Sequence, residues 1–247
     1  MDNVHVYEDL ESLSQAAAQQ FQAVCTQTVS EGRMFNVALA GGNTPKRLYE
    51  TLAAPPYDRT LPWSEVRFFF SDERSVPPDD EASNYRMAKL AMLEKLGICP
   101  ERIHRMVAET EQREQSADSY SNLLGECLPQ SDDGIPQFDL ILLGLGTDGH
   151  IASLFPHTDA VDEQQRWVVP VWVDTLNTWR MTLTFPVINN AREIMILVAG
   201  EEKSDIVAKV IEATGPAETC PARRIQPKGR LRWYLDKAAA SALTVQA

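Results

Sequence analysis

The stretch covering residues 138–156 is the feature that most constrains the fold of this chain. It opens with an apolar run that is short enough for a strand and apolar on both faces, as central strands of parallel sheets are. Three glycines follow, and apolar residues resume from Ile151 with helical spacing. We therefore predict a strand, a glycine turn and a helix start. This arrangement would put Thr147, Asp148 and His150 at the carboxyl end of a buried strand, where open α/β sheets bind ligands.

The position of His150 predicts a chemical role. A helix beginning at Ile151 would place the imidazole at the positive end of the helix dipole, which lowers the pKa of a histidine and keeps it neutral. A neutral imidazole near pH 7 can act as a general base. A buried, hydrogen-bonded structural histidine is the alternative, but the place of His150 between Gly149 and a helix start favours function.

The rest of the chain alternates strand-like and helix-like segments. Strands are predicted at 4–7, 34–40, 66–70, 138–143, 167–173, 180–185, 193–199 and 231–235. Helices are predicted at 9–30, 46–53, 84–96, 109–128 and 203–213, with a terminal helix through 242. This alternation indicates the α/β class, with a doubly wound, mostly parallel, Rossmann-like sheet flanked by helices. We expect residues 1–247 to form a single α/β catalytic domain, with the region around 75–130 as a candidate small lobe.

Charge and cysteine content narrow the partners and the compartment. The chain has 23 Lys and Arg against 35 Asp and Glu, a net charge of -12, which argues against nucleic acid or an anionic membrane as a partner. We expect no signal peptide, because the first residues are acidic rather than basic, and we find no apolar run of transmembrane length. Its 4 cysteines form no C-x-x-C pair. We therefore expect a cytoplasmic protein with reduced thiols, in which a local cation cluster must capture any anionic ligand.

Polar groups follow four of the predicted strands and should meet at one edge of the sheet. These groups are Gly41, Gly42, Asn43 and Thr44, then Asp72 and Arg74, then Asp148 and His150, and last Lys203. The turn at 41–44 offers free N–H groups at a helix start, an anion site, with Thr44 able to cap and Pro45 suited to the first helical position. Lys203 lies where the helix dipole disfavours a cation, which slightly favours a ligand role.

Three familiar motifs nearly match the glycine-rich segment but fail on detail. Residues 144–149 fit G-x-G-x-x-G, yet bulky His150 follows directly and the motif lies mid-chain, so a nicotinamide-dependent dehydrogenase is a distant alternative. A Walker A loop would need Lys-Ser/Thr where His150 and Ile151 stand, and G-x-S-x-G is absent. His150 and His157 lack a supporting ligand pattern, so no metal site is predicted. Hydrolysis here would need activated water.

Six blocks of sequence identify a family. They are residues 41–45, 71–74, 144–156, 179–184, 198–203 and 221–224. In this order they resemble the glucosamine-6-phosphate isomerase/6-phosphogluconolactonase family, whose fold is of the type shared with ribose-5-phosphate isomerases and CoA-transferases. The Ser-Leu-Phe-Pro ending at 153–156 is similar to the lactonase branch, whereas the deaminase branch typically has Asn-Glu-Pro. Asn43 stands where the family often has serine, and Arg223 where a small residue is common, so either Arg223 or Arg224 could face the ligand.

The resemblance implies hydrolysis of 6-phosphoglucono-1,5-lactone to 6-phosphogluconate, in the oxidative pentose phosphate pathway, without cofactor or metal. A δ-lactone is an activated ester, so one base and charge stabilisation at the carbonyl oxygen suffice. In this hypothesis His150 takes a proton from water and returns it to the ring oxygen. Asp72 orients His150 or the sugar hydroxyls, and Asp148 is either a helix cap or a catalytic group. The groups expected to neutralise the phosphate and the oxyanion are Arg74, Arg180, Lys203, Arg224 and the amides of 42–44.

Two other functions stay open at this point. One is a glucosamine-6-phosphate deaminase or isomerase, and the other is a non-catalytic sugar-phosphate-binding protein. Sensors of the second kind usually carry a DNA-binding module, for which the predicted structure from Val4 to Ala242 leaves no room. The expected partner is a small sugar-phosphate lactone, not nucleic acid or membrane, and the expected state is a monomer or weak homodimer.

Overall fold

A computed structural model of the protein describes residues 3–214 and 219–244. In these ranges the strands are β1 Val4–Tyr7, β2 Phe35–Leu39, β3 Val66–Phe70, β4 Asp72–Arg74, β5 Leu140–Leu143, β6 Val168–Val173, β7 Thr178–Leu183, β8 Glu193–Val198 and β9 Arg230–Asp236. The α-helices are α1 Leu10–Ser30, α2 Asn43–Leu52, α3 Tyr57–Thr60, α4 Asn84–Ala88, α5 Arg113–Cys127, α6 Phe185–Asn189 and α7 Ser204–Ile211. A π-helical turn, Lys89–Leu93, continues α4. Short 3₁₀ turns lie at Trp63–Glu65, Pro100–Arg102, Asp159–Val161, Asp174–Leu176, Glu201–Lys203 and Pro221–Arg224.

The main sheet has six parallel strands in the order β1-β9-β8-β5-β2-β3. Its central strands β2, β5 and β8 are buried along their whole length, which explains their uninterrupted apolar composition. The predicted parallel α/β fold flanked by helices is confirmed. Because all six strands run the same way, the carboxyl ends of β8, β5, β2 and β3 lie side by side at one edge, here called the carboxyl edge.

A second sheet extends from that edge and was not predicted as a separate unit. It has three antiparallel strands in the order β4-β7-β6. Ser71 joins the two sheets, because its N–H donates to Leu39 O at 2.8 Å and its carbonyl accepts from Leu183 N at 2.8 Å. A turn containing Asn177 in the left-handed conformation, at φ 48°, connects β6 to β7. Asn is among the residues that tolerate this backbone.

The segment around 75–130 packs against the main sheet. Its principal helix, α5, buries Ala117, Tyr120 and Leu124. The Tyr120 hydroxyl donates to His104 O at 3.0 Å and accepts from Phe70 N at 3.1 Å. One side chain thus connects α5 to the end of β3.

The helix predicted from Ile151 is wrong. Residues 150–158 contain no helix but form a folded turn, with an isolated bridge between Ile151 and Leu154 and positive φ at Ala152, 51°, and His157, 65°. Ile151, Leu154 and Phe155 are all buried because the chain folds back on itself. Such a turn gives apolar residues the same i, i+3, i+4 spacing as a helix, which explains the error.

Two further helix boundaries differ from prediction. Helix α2 starts at Asn43 with Gly42 as N-cap, so Thr44 lies inside the helix and does not cap it. The predicted terminal helix is wrong, because residues 237–242 form turns after β9. Among the described residues, no helix combines the length and the apolar composition that a membrane crossing requires.

Candidate active site

A cavity of about 410 Å³ opens at the carboxyl edge of the main sheet. Nine of the residues singled out in the sequence line it together: Gly41, Gly42, Asn43, Thr44, Asp72, Arg74, His150, Arg180 and Lys203. They come from the segments that follow β2, β3, β5 and β8 and from β7 of the second sheet. The neighbouring carboxyl ends of parallel strands bring these distant parts of the chain to one place.

Two of the glycines around this cavity show why a side chain is excluded there. Gly42 has φ 99°, a backbone conformation that other L-residues rarely adopt, and it lets the chain turn directly from β2 into α2. At Gly146 an added Cβ would lie 2.0 Å from His150 Nδ1 and 2.6 Å from Asp148 Oδ1. The absence of a side chain at Gly146 therefore makes room for the pair formed by His150 and Asp148.

His150 and Asp148 form a close pair on the turn after β5. Asp148 Oδ1 lies 2.6 Å from His150 Nδ1 and also accepts from the His150 backbone N–H at 3.1 Å. A carboxylate only accepts hydrogen bonds, so it holds the proton of the neutral ring on Nδ1 and leaves a lone pair on Nε2. Phe155 stacks on the imidazole with ring centroids 4.0 Å apart. The ring is thus fixed by a carboxylate at its edge and an aromatic ring on its face.

The structure removes the helix-dipole argument for His150 and one of the two roles that were open for Asp148. No helix starts here, so no helix dipole acts on His150 and Asp148 is not a helix cap. Partial burial opposes ionisation of Asp148, but the hydrogen bond and charge of His150 outweigh it and lower the pKa of this carboxyl. An ionised Asp148 is the group that orients the imidazole.

Asp72 has a different environment, because it is buried among neutral donors. Ser153 Oγ donates to its Oδ2 at 2.6 Å, and Asn84 Nδ2 donates to its Oδ1 at 3.2 Å and to its backbone carbonyl at 2.9 Å. Ser153 is itself completely buried, and its N–H donates to Thr182 Oγ1 at 3.1 Å. The carboxylate next to His150 is that of Asp148, so for Asp72 contact with the sugar hydroxyls stays a prediction.

Three cations line the cavity from three separate elements. Arg74 Nη1 donates to Ala82 O at 2.6 Å, and Lys203 Nζ donates to Leu145 O at 2.8 Å. Burial lowers the pKa of Arg180, although Asp72 partly offsets this, and its buried Nε has no hydrogen-bond partner among the described residues. A desolvated guanidinium with an unused donor gains most from an anionic ligand. Asp72 and Glu202 supply negative charge to the same lining.

Arg224 lies outside this lining. Its Nη1 is 2.9 Å from Asp162 Oδ1, and its guanidinium lies over the Phe185 ring, 5.0 Å from the centroid. Arg223 does not line the cavity either. In this conformation, neither Arg223 nor Arg224 faces the cavity.

Among the other lining residues, sequence reasoning did not name Asn84, Phe155, Leu176 or Glu202 as site residues. Glu202 and Phe155 stand inside blocks that had been singled out, so they could have been named. Asn84 and Leu176 carried no such signal, because one begins a short helix and the other lies in the hairpin turn of a sheet that was not predicted. In the part of the chain that is described, no three His, Cys, Asp or Glu side chains are grouped so as to hold a metal ion.

Comparison with known proteins agrees with this geometry. Residues 8–233 match the family described as glucosamine-6-phosphate isomerases/6-phosphogluconolactonase. A 6-phosphogluconolactonase from Synechocystis sp. is 42% identical over 214 residues, 87% of each chain. The structure of 6-phosphogluconolactonase from Trypanosoma cruzi superposes with TM-score 0.87 at 32% identity, covering 98% of this chain and 97% of that one.

A monomeric glucosamine-6-phosphate deaminase also superposes, with TM-score 0.80 and coverage of 97% of this chain and 99% of that one. At 21% identity this likeness shows the fold alone. The family match over most of the chain and the relatives above 30% identity confirm the resemblance found in the sequence. This chain belongs to the glucosamine-6-phosphate isomerase/6-phosphogluconolactonase family.

Proposed function

We propose that this protein hydrolyses 6-phosphoglucono-1,5-lactone to 6-phosphogluconate, a step of the oxidative pentose phosphate pathway. The observation that carries the proposal is the placement of His150, whose Nδ1 is held by Asp148, in one cavity with three cations. A fixed imidazole with a free nitrogen suits activation of water, and the cations suit a phosphorylated ester. Membership of the family supports the same activity.

The reaction begins with His150 as general base. Its Nε2 takes a proton from a water molecule, and the oxygen of that water forms a bond to the carbonyl carbon C1. Negative charge develops on the carbonyl oxygen, where neighbouring cations and N–H donors stabilise it. The carboxylate of Asp148 stabilises the imidazolium that forms, because a charge-assisted hydrogen bond replaces a neutral one.

Ring opening reverses the proton transfer. The tetrahedral intermediate collapses, the bond from C1 to the ring oxygen breaks, and His150 donates its proton to that oxygen as it leaves. The imidazole is then neutral again, and the new carboxylic acid ionises to solvent. No protein group other than His150 has to change its protonation state, which fits a cavity whose described lining contains one histidine.

The remaining groups bind and orient the substrate. Arg74, Arg180 and Lys203 share the 6-phosphate and the oxyanion, and the first N–H groups of α2 add donors for an anion. Asp72, held by Ser153 and Asn84, accepts hydrogen bonds from sugar hydroxyls. Arg224 has no part in this mechanism, because its guanidinium is bound to Asp162 outside the cavity.

A coupled assay tests the activity and the base together. Glucose-6-phosphate dehydrogenase generates the lactone in situ. The disappearance of the lactone is followed in separate reactions with wild type, with His150→Ala and without protein, the last of which measures spontaneous opening. We expect wild type to accelerate hydrolysis and His150→Ala to lose about 10²–10⁴-fold in kcat. The control is His157→Asn. Residue 157 lies outside the cavity lining, and its φ of 65° is a backbone conformation that Asn tolerates.

Two results would contradict the proposal. Folded wild-type protein that does not accelerate lactone opening would exclude the activity, and ammonia release from glucosamine 6-phosphate would then identify a deaminase. Near-normal turnover by folded His150→Ala would leave the activity standing but exclude the general base.

A further inference from the structure

A second cavity, also of about 410 Å³, lies at the opposite edge of the main sheet, where β2, β5, β8 and β9 begin. We call it the amino-edge cavity. Its charged lining residues are Arg33, Arg192, Arg230 and Arg232 with Glu31, Asp139 and Glu193. We propose that this cavity binds a small phosphorylated ligand, separately from the active site.

The two buried carboxylates of the cavity are already neutralised by two of the arginines. Asp139, which is completely buried, accepts from Arg33 Nη1 at 2.6 Å and from Asn36 N at 3.0 Å. Glu193, also buried, accepts from Arg232 Nε at 2.9 Å and from Gln20 Nε2 at 2.7 Å. Buried carboxylates need cationic partners. Neutralising Asp139 and Glu193 therefore occupies Arg33 and the Nε of Arg232.

Arg192 and Arg230 are not needed to neutralise these two buried carboxylates. The side chain of Arg192 is 46% exposed, and the ion pair that it makes within the described residues, at 3.5 Å from Asp139, is to a carboxylate that Arg33 already binds. The guanidinium of Arg230 makes no hydrogen bond or ion pair with any residue in 3–214 or 219–244. Both therefore present unused donors to the same cavity.

Strand register explains why these groups meet. Arg230 pairs with Glu193 across β8 and β9, and Arg232 follows two residues later, so all three side chains share one face of the sheet. Arg192 immediately precedes β8. Three guanidinium groups whose Nη donors have no partner among the described residues thus surround one concave space. Planar forks of this kind bind phosphate oxygens in pairs.

Charge in the rest of the cavity does not cancel this excess. Four arginines face three carboxylates there, a balance of +1 in a chain of net charge -12. The carboxyl end of α1 borders the cavity, but Glu31 N–H caps its last carbonyls at Gln27 and Thr28. We expect the anion to lie toward β8 and β9, away from that end and from Glu31.

Calorimetric titration with inorganic pyrophosphate at physiological ionic strength tests the site. We expect Arg192→Gln/Arg230→Gln to show one binding event fewer than wild type, or that event weakened at least about tenfold. Lactone hydrolysis should be unchanged, because neither residue lines the active site. Arg232 stays intact in this variant, since its removal would leave Glu193 without its cation. The control is Arg59→Gln, whose side chain is 82% exposed and lines neither cavity.

Three outcomes would overturn the proposal. The double variant could bind pyrophosphate as wild type does, the Arg59 control could lose the same event, or citrate could bind at this site as tightly as pyrophosphate. The last result would mean that the site does not select phosphate. None of these outcomes depends on whether the protein hydrolyses the lactone, so the two proposals fail independently.

Discussion

At the scale of single residues, the site contains two carboxylates whose surroundings give them different tasks. Asp148 is half-exposed and contacts an imidazole, so it acts through His150. Asp72 is buried and contacts neutral donors, so its charge is held in one orientation toward the cavity. Sequence reasoning named both, and for Asp72 it left open contact with His150 or with the sugar hydroxyls. It did not find the pairing of Asp148 with His150, because that contact exists only in a non-helical turn.

Asp148→Asn should lower kcat about 10²–10⁴-fold, because an amide does not stabilise the imidazolium and can impose the wrong tautomer.

The same substitution should also alter the pH dependence of stability. A carboxyl whose pKa is lowered by folding contributes stability above its unfolded pKa and loses it as pH falls through the folded value. We therefore expect urea unfolding of wild type and Asp148→Asn to converge in acid. A difference in the free energy of unfolding that stays constant down to pH values below the range in which carboxyls titrate would contradict this. The control is Asp162→Asn, because Asp162 lies outside the cavity.

Ser153→Ala should reduce kcat/KM about tenfold, because Asp72 loses its shortest hydrogen bond, at 2.6 Å, and with it a fixed orientation. Ser14→Ala is a matched control, since Ser14 is equally buried and donates to Leu10 O at 2.7 Å, far along the chain in α1. Both variants should lose similar stability in chemical unfolding. Equal loss of activity in the two would show that Ser153 acts only through stability, and Ser153→Thr should restore part of the activity.

At the scale of elements, patterns of burial were predictable and the partners of each element were less so. Strands β2, β5 and β8 are apolar on both faces, which identifies them as central strands of a parallel sheet. The convergence of polar groups at their carboxyl ends followed from that. The turn at 150–158 imitates helical spacing, and an alternating strand such as β7 does not indicate which strand it pairs with. Pairing depends on tertiary packing, so the second sheet could not be read from local sequence.

The start of α2 can be tested through its glycine. Gly42→Ala should cost about 1–2 kcal/mol because φ is 99°, and it should also raise KM for the lactone by distorting N–H donors that line the cavity. Gly32→Ala is the matched control: Gly32 has φ 74° after α1, with nothing within 4 Å of an added Cβ. Both variants should lose comparable stability in urea, and only Gly42→Ala should lose affinity. An unchanged KM in Gly42→Ala would remove this turn from the binding site.

At the scale of the whole molecule, the two sheets and the segment around 75–130 share buried contacts. One cluster of buried apolar side chains contains Leu142 of β5, Met181 of β7 and Leu124 of α5. Ser71 hydrogen-bonds to both sheets, and Tyr120 connects α5 to β3. A lobe with an independent core would instead bury its apolar residues within itself. We therefore propose that the chain unfolds as one domain.

Leu124→Ala tests this proposal, because Leu124 is completely buried in α5 and its truncation should cost about 2–5 kcal/mol. If the segment around 75–130 belongs to the same cooperative unit, the whole unfolding transition should move to lower denaturant, with circular dichroism and tryptophan fluorescence still coincident. The probes cover both sheets, since Trp233 lies in β9 and Trp172 in β6. Leu90→Ala is the control, because that side chain is 47% exposed and should leave the midpoint unchanged. If part of the circular dichroism of Leu124→Ala were lost at lower denaturant while the rest kept the wild-type midpoint, this segment would be a separate lobe. In a shared core, the loss of one buried contact destabilises every strand that packs on that core.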